Sequence, residues 1–170
     1  MSMKWLGAAL IICCTGFVGF KISAAYRLEE ENLRQLISAL DYMVCELRYR
    51  QSALPVVCHQ IGTERNGCIG RLFRQLAEEL ESAIAPDVQS CLAAAAATNG
   101  AITGRVEKAV CIMGSTLGRF DLEGQLLGLE SVRNYCREQL DEMSKDRDAR
   151  LRSYQTLGLC AGAALAILFV

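Results

Sequence analysis

Between residues 27 and 152 apolar positions recur in steps of three and four, period-two alternation is nearly absent and β-branched residues mostly stand singly. That pattern predicts an all-α fold. Leu33, Leu36, Ile37, Leu40, Val44 and Leu47 form one stripe, leaving Arg34, Gln35, Asp41, Glu46 and Arg48 largely on other faces. The stripe predicts an amphipathic helix over 27–51, about seven turns long. Pro55 suits the first turn of the next helix, where a missing N–H is tolerated, and Val56, Val57 and Ile61 give it a short apolar stripe. From Cys68 to Ile84 the residues Ile69, Leu72, Phe73, Leu76, Leu80 and Ile84 repeat at helical spacing, with Glu78, Glu79 and Glu81 outward and Pro86 as the stop. Asp87 to Val110 holds five consecutive alanines at 93–97, then Asn99-Gly100 and Gly104 as turn signals, and reads as two short helices. The last helix starts at Asp121, whose carboxylate can cap free amide groups, and carries Leu122, Leu126, Leu129, Val132, Cys136, Leu140 and Met143 on one side.

The ends break this pattern. Trp5 to Phe20 is uncharged between Lys4 and Lys21, and Ser153 to Val170 is uncharged to its end. As a helix the first run spans about 24 Å, and about 33 Å if it extends to Tyr26 with Lys21 snorkelling, against a hydrocarbon core of roughly 30 Å. Each end therefore reads as a minimal transmembrane helix. Small residues in both (Gly7, Gly16, Gly19; Gly158, Ala161, Gly162, Ala163) either let the two pack together or are ordinary membrane-helix composition. The expected architecture is a membrane-anchored helical bundle: a transmembrane helix at 1–26, a helical domain at 27–152 built on the long antiparallel pair 27–51 and 121–152, and a second transmembrane helix at 153–170. Lys21 and Arg27 follow the first span and Lys145, Arg147, Arg150 and Arg152 precede the second, so the positive-inside bias puts the domain in the cytoplasm. The rival reading is a signal peptide cleaved at Ser23-Ala24-Ala25, leaving an exported, tail-anchored binding module; Lys21 in the cleavage region argues against it.

Composition narrows the function. A chain of 170 residues suits one domain, and its 52% hydrophobic content is concentrated at the ends. Eighteen basic residues against nineteen acidic ones leave no global field for nucleic acid. The nine cysteines include no Cys-x-x-Cys pair, and the six between the spans read as small, mostly buried, reduced side chains. Cys58 and His59 are adjacent, so on a helix they point about 100° apart and cannot chelate together. His59 is the only histidine, which leaves a cysteine nucleophile without its usual base. Gly114-Ser-Thr-Leu-Gly118 lacks the lysine of a phosphate loop. No catalytic, cofactor or metal site is expected; a thiol-based redox sensor is a third function class, read out by oxidation that changes oligomeric state.

Gly114-Ser-Thr-Leu-Gly118-Arg-Phe-Asp121-Leu-Glu-Gly-Gln125 resembles the Leu-Gly-x-x-Asp-x-x-x-Gln signature of the stage III sporulation protein AB family. Leu33-Arg-Gln-Leu-Ile-Ser-Ala-Leu40, Glu46-Leu-Arg-Tyr49, Leu54-Pro55 and Tyr154-Gln-Thr-Leu-Gly158 match that family in order, and Leu6-Gly-Ala opens the match. The departures are Ser52-Ala before Leu54-Pro55, where the family often has Thr-Pro, and Gly124 and Gly128 in the first turns of the final helix. The resemblance implies a non-enzymatic membrane subunit of the secretion-like channel complex that joins mother cell to forespore in endospore formation. It would sit in the mother-cell membrane around the forespore with its middle domain cytoplasmic. That domain is similar to the cytoplasmic domain of type II secretion inner-membrane F proteins, and by fold-level analogy it would dock the complex's secretion-type ATPase. Under this reading Leu117, Gly118, Asp121 and Gln125 are the partner-binding signature; the alternative is that the turn only orients the last helix. Arg48, Tyr49 and Arg50 form a second contact candidate, since Tyr and Arg are enriched in binding hot spots. Other channel subunits are further partners, and self-association stays open.

Overall fold

The structure, a computed structural model, consists of α1 (Ser2–Cys45), a π-helical turn (Glu46–Arg50), α2 (Leu54–Glu64), α3 (Gly67–Ser82), α4 (Val88–Thr98), α5 (Gly104–Thr116) and α6 (Leu122–Phe169). Side chains are described for residues 24–82, 87–100, 102, 104–118 and 121–145, and among the described residues the fold is all-α without a strand. Among those residues no helix is long and apolar enough to cross a membrane. The two expected spans, 1–26 and 153–170, fall almost wholly outside the described residues, as do Ile84 and Pro86 at the expected end of the third helix.

The apolar stripes decide the packing. Leu33, Leu36, Ala39, Leu40 and Met43 are fully buried on α1, and Leu47 continues the row into the π turn. On α6 the facing row is Leu126, Leu129, Val132, Cys136 and Met143. Asp41 pairs with Arg133 at 3.0 Å and Arg48 with Glu130 at 3.4 Å, so rising numbers on α1 meet falling numbers on α6 and the two helices are antiparallel. Each helix from α2 onward packs on the next and α6 returns to α1, which closes the helices around a core containing Phe73 of α3 and Met113 of α5. At the end where α1 enters the domain, Glu29 joins three helices. Its Oε1 accepts from the Arg105 backbone N–H at 2.9 Å, its Oε2 lies 3.4 Å from Arg105 Nη1, and Arg105 Nε donates to Gln139 Oε1 at 2.9 Å.

Four local features differ from the expectation. The first helix does not run as a plain α-helix to residue 51. Its last turn widens to a π turn, and Gln51, with φ of +50°, ends it in the left-handed region. Glu46, three residues beyond Met43 on the same face of the helix, is 7% exposed instead of lying on a polar face. There its carboxylate is met by Arg50 Nη1 at 3.1 Å and the Ser52 hydroxyl at 3.2 Å, as a buried charge requires. The second of the two short helices reaches Thr116 rather than stopping near Val110, because Val106, Ala109, Val110 and Met113 keep one buried face through it. Gly128 does not interrupt α6: a Cβ there would lie 2.5 Å from the Thr116 Cβ, so the glycine permits the close approach of α5. Finally, Cys58, Cys68, Cys91 and Cys136 are buried as expected, whereas Cys45 and Cys111 are exposed.

Candidate functional site

The signature residues 117–125 form the corner between α5 and α6. Leu117 donates its backbone N–H to the Met113 carbonyl at 3.0 Å, and its side chain is fully buried. Gly118 follows at φ +76°, a left-handed position that ends the helix and that a side chain disfavours. A Cβ there would also lie 2.5 Å from Val88 Cγ2 at the start of α4. Asp121 then caps α6: its Oδ1 accepts the Gly124 backbone N–H at 3.0 Å, and its carbonyl accepts that of Gln125 at 2.9 Å. The Asp121 side chain is exposed and Gln125 is half-buried. Leu117 thus packs the core, Gly118 reverses the chain and Asp121 caps α6.

The π turn carries the second group. Arg48, Tyr49 and Arg50 are three consecutive exposed residues, with Tyr49 at 77% exposure. Arg50 is held by buried Glu46, and Arg48 reaches across to Glu130 of α6. Partial burial, followed by the Glu46 and Glu64 carboxylates, raises the pKa of the Tyr42 phenol one turn before Glu46. The Arg48–Glu130 pair brings the π turn to the same end of the bundle as the signature corner, although Glu130 stands nine residues, about 14 Å, along α6 from Asp121. The two groups therefore share an end of the molecule rather than a single contact point.

Val56 and Leu122, which the helical spacing set on apolar stripes, are instead 58% and 40% exposed at this end, and Leu127, which the spacing left out, is 65% exposed. Leu127 carried a legible signal. Neighbouring residues on a helix diverge by about 100°, so of the pair Leu126-Leu127 only one can join a narrow stripe, and Leu126 takes that place at 8% exposure. Elsewhere, Cys58 is buried while adjacent His59 is exposed. Burial pushes the Cys58 thiol up to about 12 and the Cys136 thiol to about 11, which keeps both protonated and unreactive. Among the described residues no group of three His, Cys, Asp or Glu side chains is placed to hold a metal ion. An open groove of about 540 Å³ between α4 and α5 is lined chiefly by Ala93, Ala96, Ala97, Gly100, Val110 and Gly114. It offers little chemistry beyond Glu107, Gln89 and Cys111 at its wall.

The profile of the family described as stage III sporulation protein AB matches residues 4–170. The chain is similar to the stage III sporulation protein AB of Bacillus subtilis (strain 168), at 28% identity over 79 residues. That match spans about half of each chain, 46% of either length. A solved structure of a stage III sporulation protein AB superposes with a TM-score of 0.64 at 16% identity, covering 72% of this chain and 98% of that one. At that identity the likeness speaks for the fold. These relatives are named for a stage of sporulation and not for an enzymatic activity.

Proposed function

The chain belongs to the stage III sporulation protein AB family, and we propose that it is a non-enzymatic membrane subunit of the secretion-like channel complex between mother cell and forespore. In this reading it is anchored by both ends in the mother-cell membrane around the forespore, and its cytoplasmic helical domain docks the complex's secretion-type ATPase. One observation carries the reading: α1 and α6 are antiparallel, with Glu29 and Gln139 brought together on Arg105 where α1 enters the domain and α6 leaves it. Within the two uncharged runs of the sequence, residues 5–20 and 153–169 continue those helices beyond that bracket. Both can then enter one bilayer while the rest of the domain stays on one side of it. The signature corner and the π turn lie at the opposite end, which faces the cytoplasm and any partner there.

The test is affinity purification of the tagged full-length chain from crosslinked membranes of sporulating cells, beside an Asp121→Ala, Gln125→Ala variant of equal abundance. Recovery of the ATPase with the native chain and its loss with the variant would support docking through the corner. Equal recovery would keep the adaptor role and leave the corner to orient α6. Absence of the ATPase from both would refute docking. Mass spectrometry of the mature amino terminus is the companion measurement, since cleavage after Ala25 would refute the two-span reading in favour of an exported, tail-anchored module.

A further inference from the structure

Five large apolar side chains among the described residues are strongly exposed: Leu28, Tyr49, Val56, Leu122 and Leu127. Scattered singly they would need no explanation. Four of them, however, belong to the π turn and the first turns of α2 and α6, at the end of the bundle remote from Glu29. The two most exposed, Tyr49 at 77% and Leu127 at 65%, each adjoin a charge. Arg48 precedes Tyr49 in the chain, and Glu130 lies one turn beyond Leu127 on the same face of α6. These two charges are opposite in sign. They meet loosely, at 3.4 Å, with 48% and 36% of their side chains exposed, so both retain hydrogen-bonding capacity towards solvent. Arg50, 70% exposed after Tyr49, is already held by buried Glu46, so the charges the patch leaves to share are Arg48 and Glu130, beside apolar surface, and the pattern matches itself.

Because Arg48 and Glu130 touch across the α1–α6 pair, they stand at one height along the bundle. We propose that the chain pairs with a second copy of itself through this patch, about a two-fold axis running along the bundle. Arg48 of each copy then faces Glu130 of the other, around a centre formed by Tyr49 and Leu127. An isologous contact of this kind is the commonest route to a homodimer. The direction of the axis matters, because it leaves the chain ends of both copies on the same side, as two chains anchored in one membrane require. The planar guanidinium of Arg48 can hold its own Glu130 through one nitrogen and the partner copy's carboxylate through the others. The pairing is independent of the ATPase reading and stands or falls without it.

The experiment co-expresses two differently tagged full-length copies, captures one tag from mild-detergent membranes and quantifies the other. Native copies are expected to co-recover. Arg48→Glu chains should lose self-recovery about tenfold, and Glu130→Arg chains likewise, because each change sets like charges face to face. Co-expressing an Arg48→Glu chain with a Glu130→Arg chain should restore recovery. In that mixed pair the substituted position 48 faces the substituted position 130, and native Arg48 faces native Glu130. Two misfolded variants could not rescue each other, so restoration excludes simple unfolding. The pairing is overturned if native copies do not co-recover, if either variant self-associates as the native chain does, or if the mixed pair recovers no better than the variants alone.

Discussion

Cys58 is enclosed at the scale of a single residue by apolar neighbours that its own sequence context barely announces, and its chemistry follows from that. Burial lifts its thiol from an ordinary 9.0 to about 12, and that of Cys136 to about 11. Below pH 9 folded and unfolded chains both hold these protons. Between 9 and about 12 only the unfolded chain releases them, so stability falls as pH rises through that window. Urea unfolding followed by circular dichroism should show a lower midpoint at about pH 10.5 than at about pH 8, and the double variant Cys58→Ala, Cys136→Ala should shrink that difference. N-ethylmaleimide should label exposed Cys45 and Cys111 in the folded protein and reach Cys58 only on unfolding. Asp121→Ala removes the bond to the Gly124 N–H and should lower stability by about 1 kcal/mol in the same urea experiment. That cap was legible in the sequence because capping is decided within four residues. The enclosure of Glu46 was not, since a carboxylate three residues beyond Met43 is tolerated on the buried face only where Arg50 and Ser52 close around it.

At the scale of elements, helix periodicity was the readable quantity and helix contact the unreadable one. The stripe on α1, the proline at the start of α2 and the row on α6 all follow from spacing alone. Gly128 shows the limit. In sequence a glycine early in a helix reads as a weakness, yet here it is where Thr116 of α5 comes closest to α6. Gly128→Ala should therefore destabilise by about 1–3 kcal/mol through overpacking rather than stabilise by helix propensity. Gly100→Ala, where a Cβ meets nothing within 4 Å, is the matched control and should change the urea midpoint far less. The π turn belongs to the same lesson. Its residues could all sit in an α-helix, and nothing in their spacing announces the wider winding.

For the molecule as a whole, the Glu29–Arg105–Gln139 bracket is the joint between the ends of the chain and the body of the domain. Glu29→Ala would orphan the Arg105 N–H in the first turn of α5 and strip Arg105 of its carboxylate, at about 1–3 kcal/mol. Hydrogen exchange should then quicken in the first turn of α5 while α2 and α3 stay protected. The closure of α6 onto α1 also has a consequence in time. The contacts that seal the bundle join residues 82 and 92 positions apart, whereas α2 and α3 are separated by only Arg65 and Asn66. Near-neighbour hairpins form quickly and long loops close late. A chain leaving the ribosome amino end first can complete the α2–α3 hairpin while Leu33, Leu36 and Leu40 still lack α6 as a cover. Nascent chains stalled before α6 emerges should bind apolar-seeking chaperones through α1, and release from them should coincide with the appearance of the last helix.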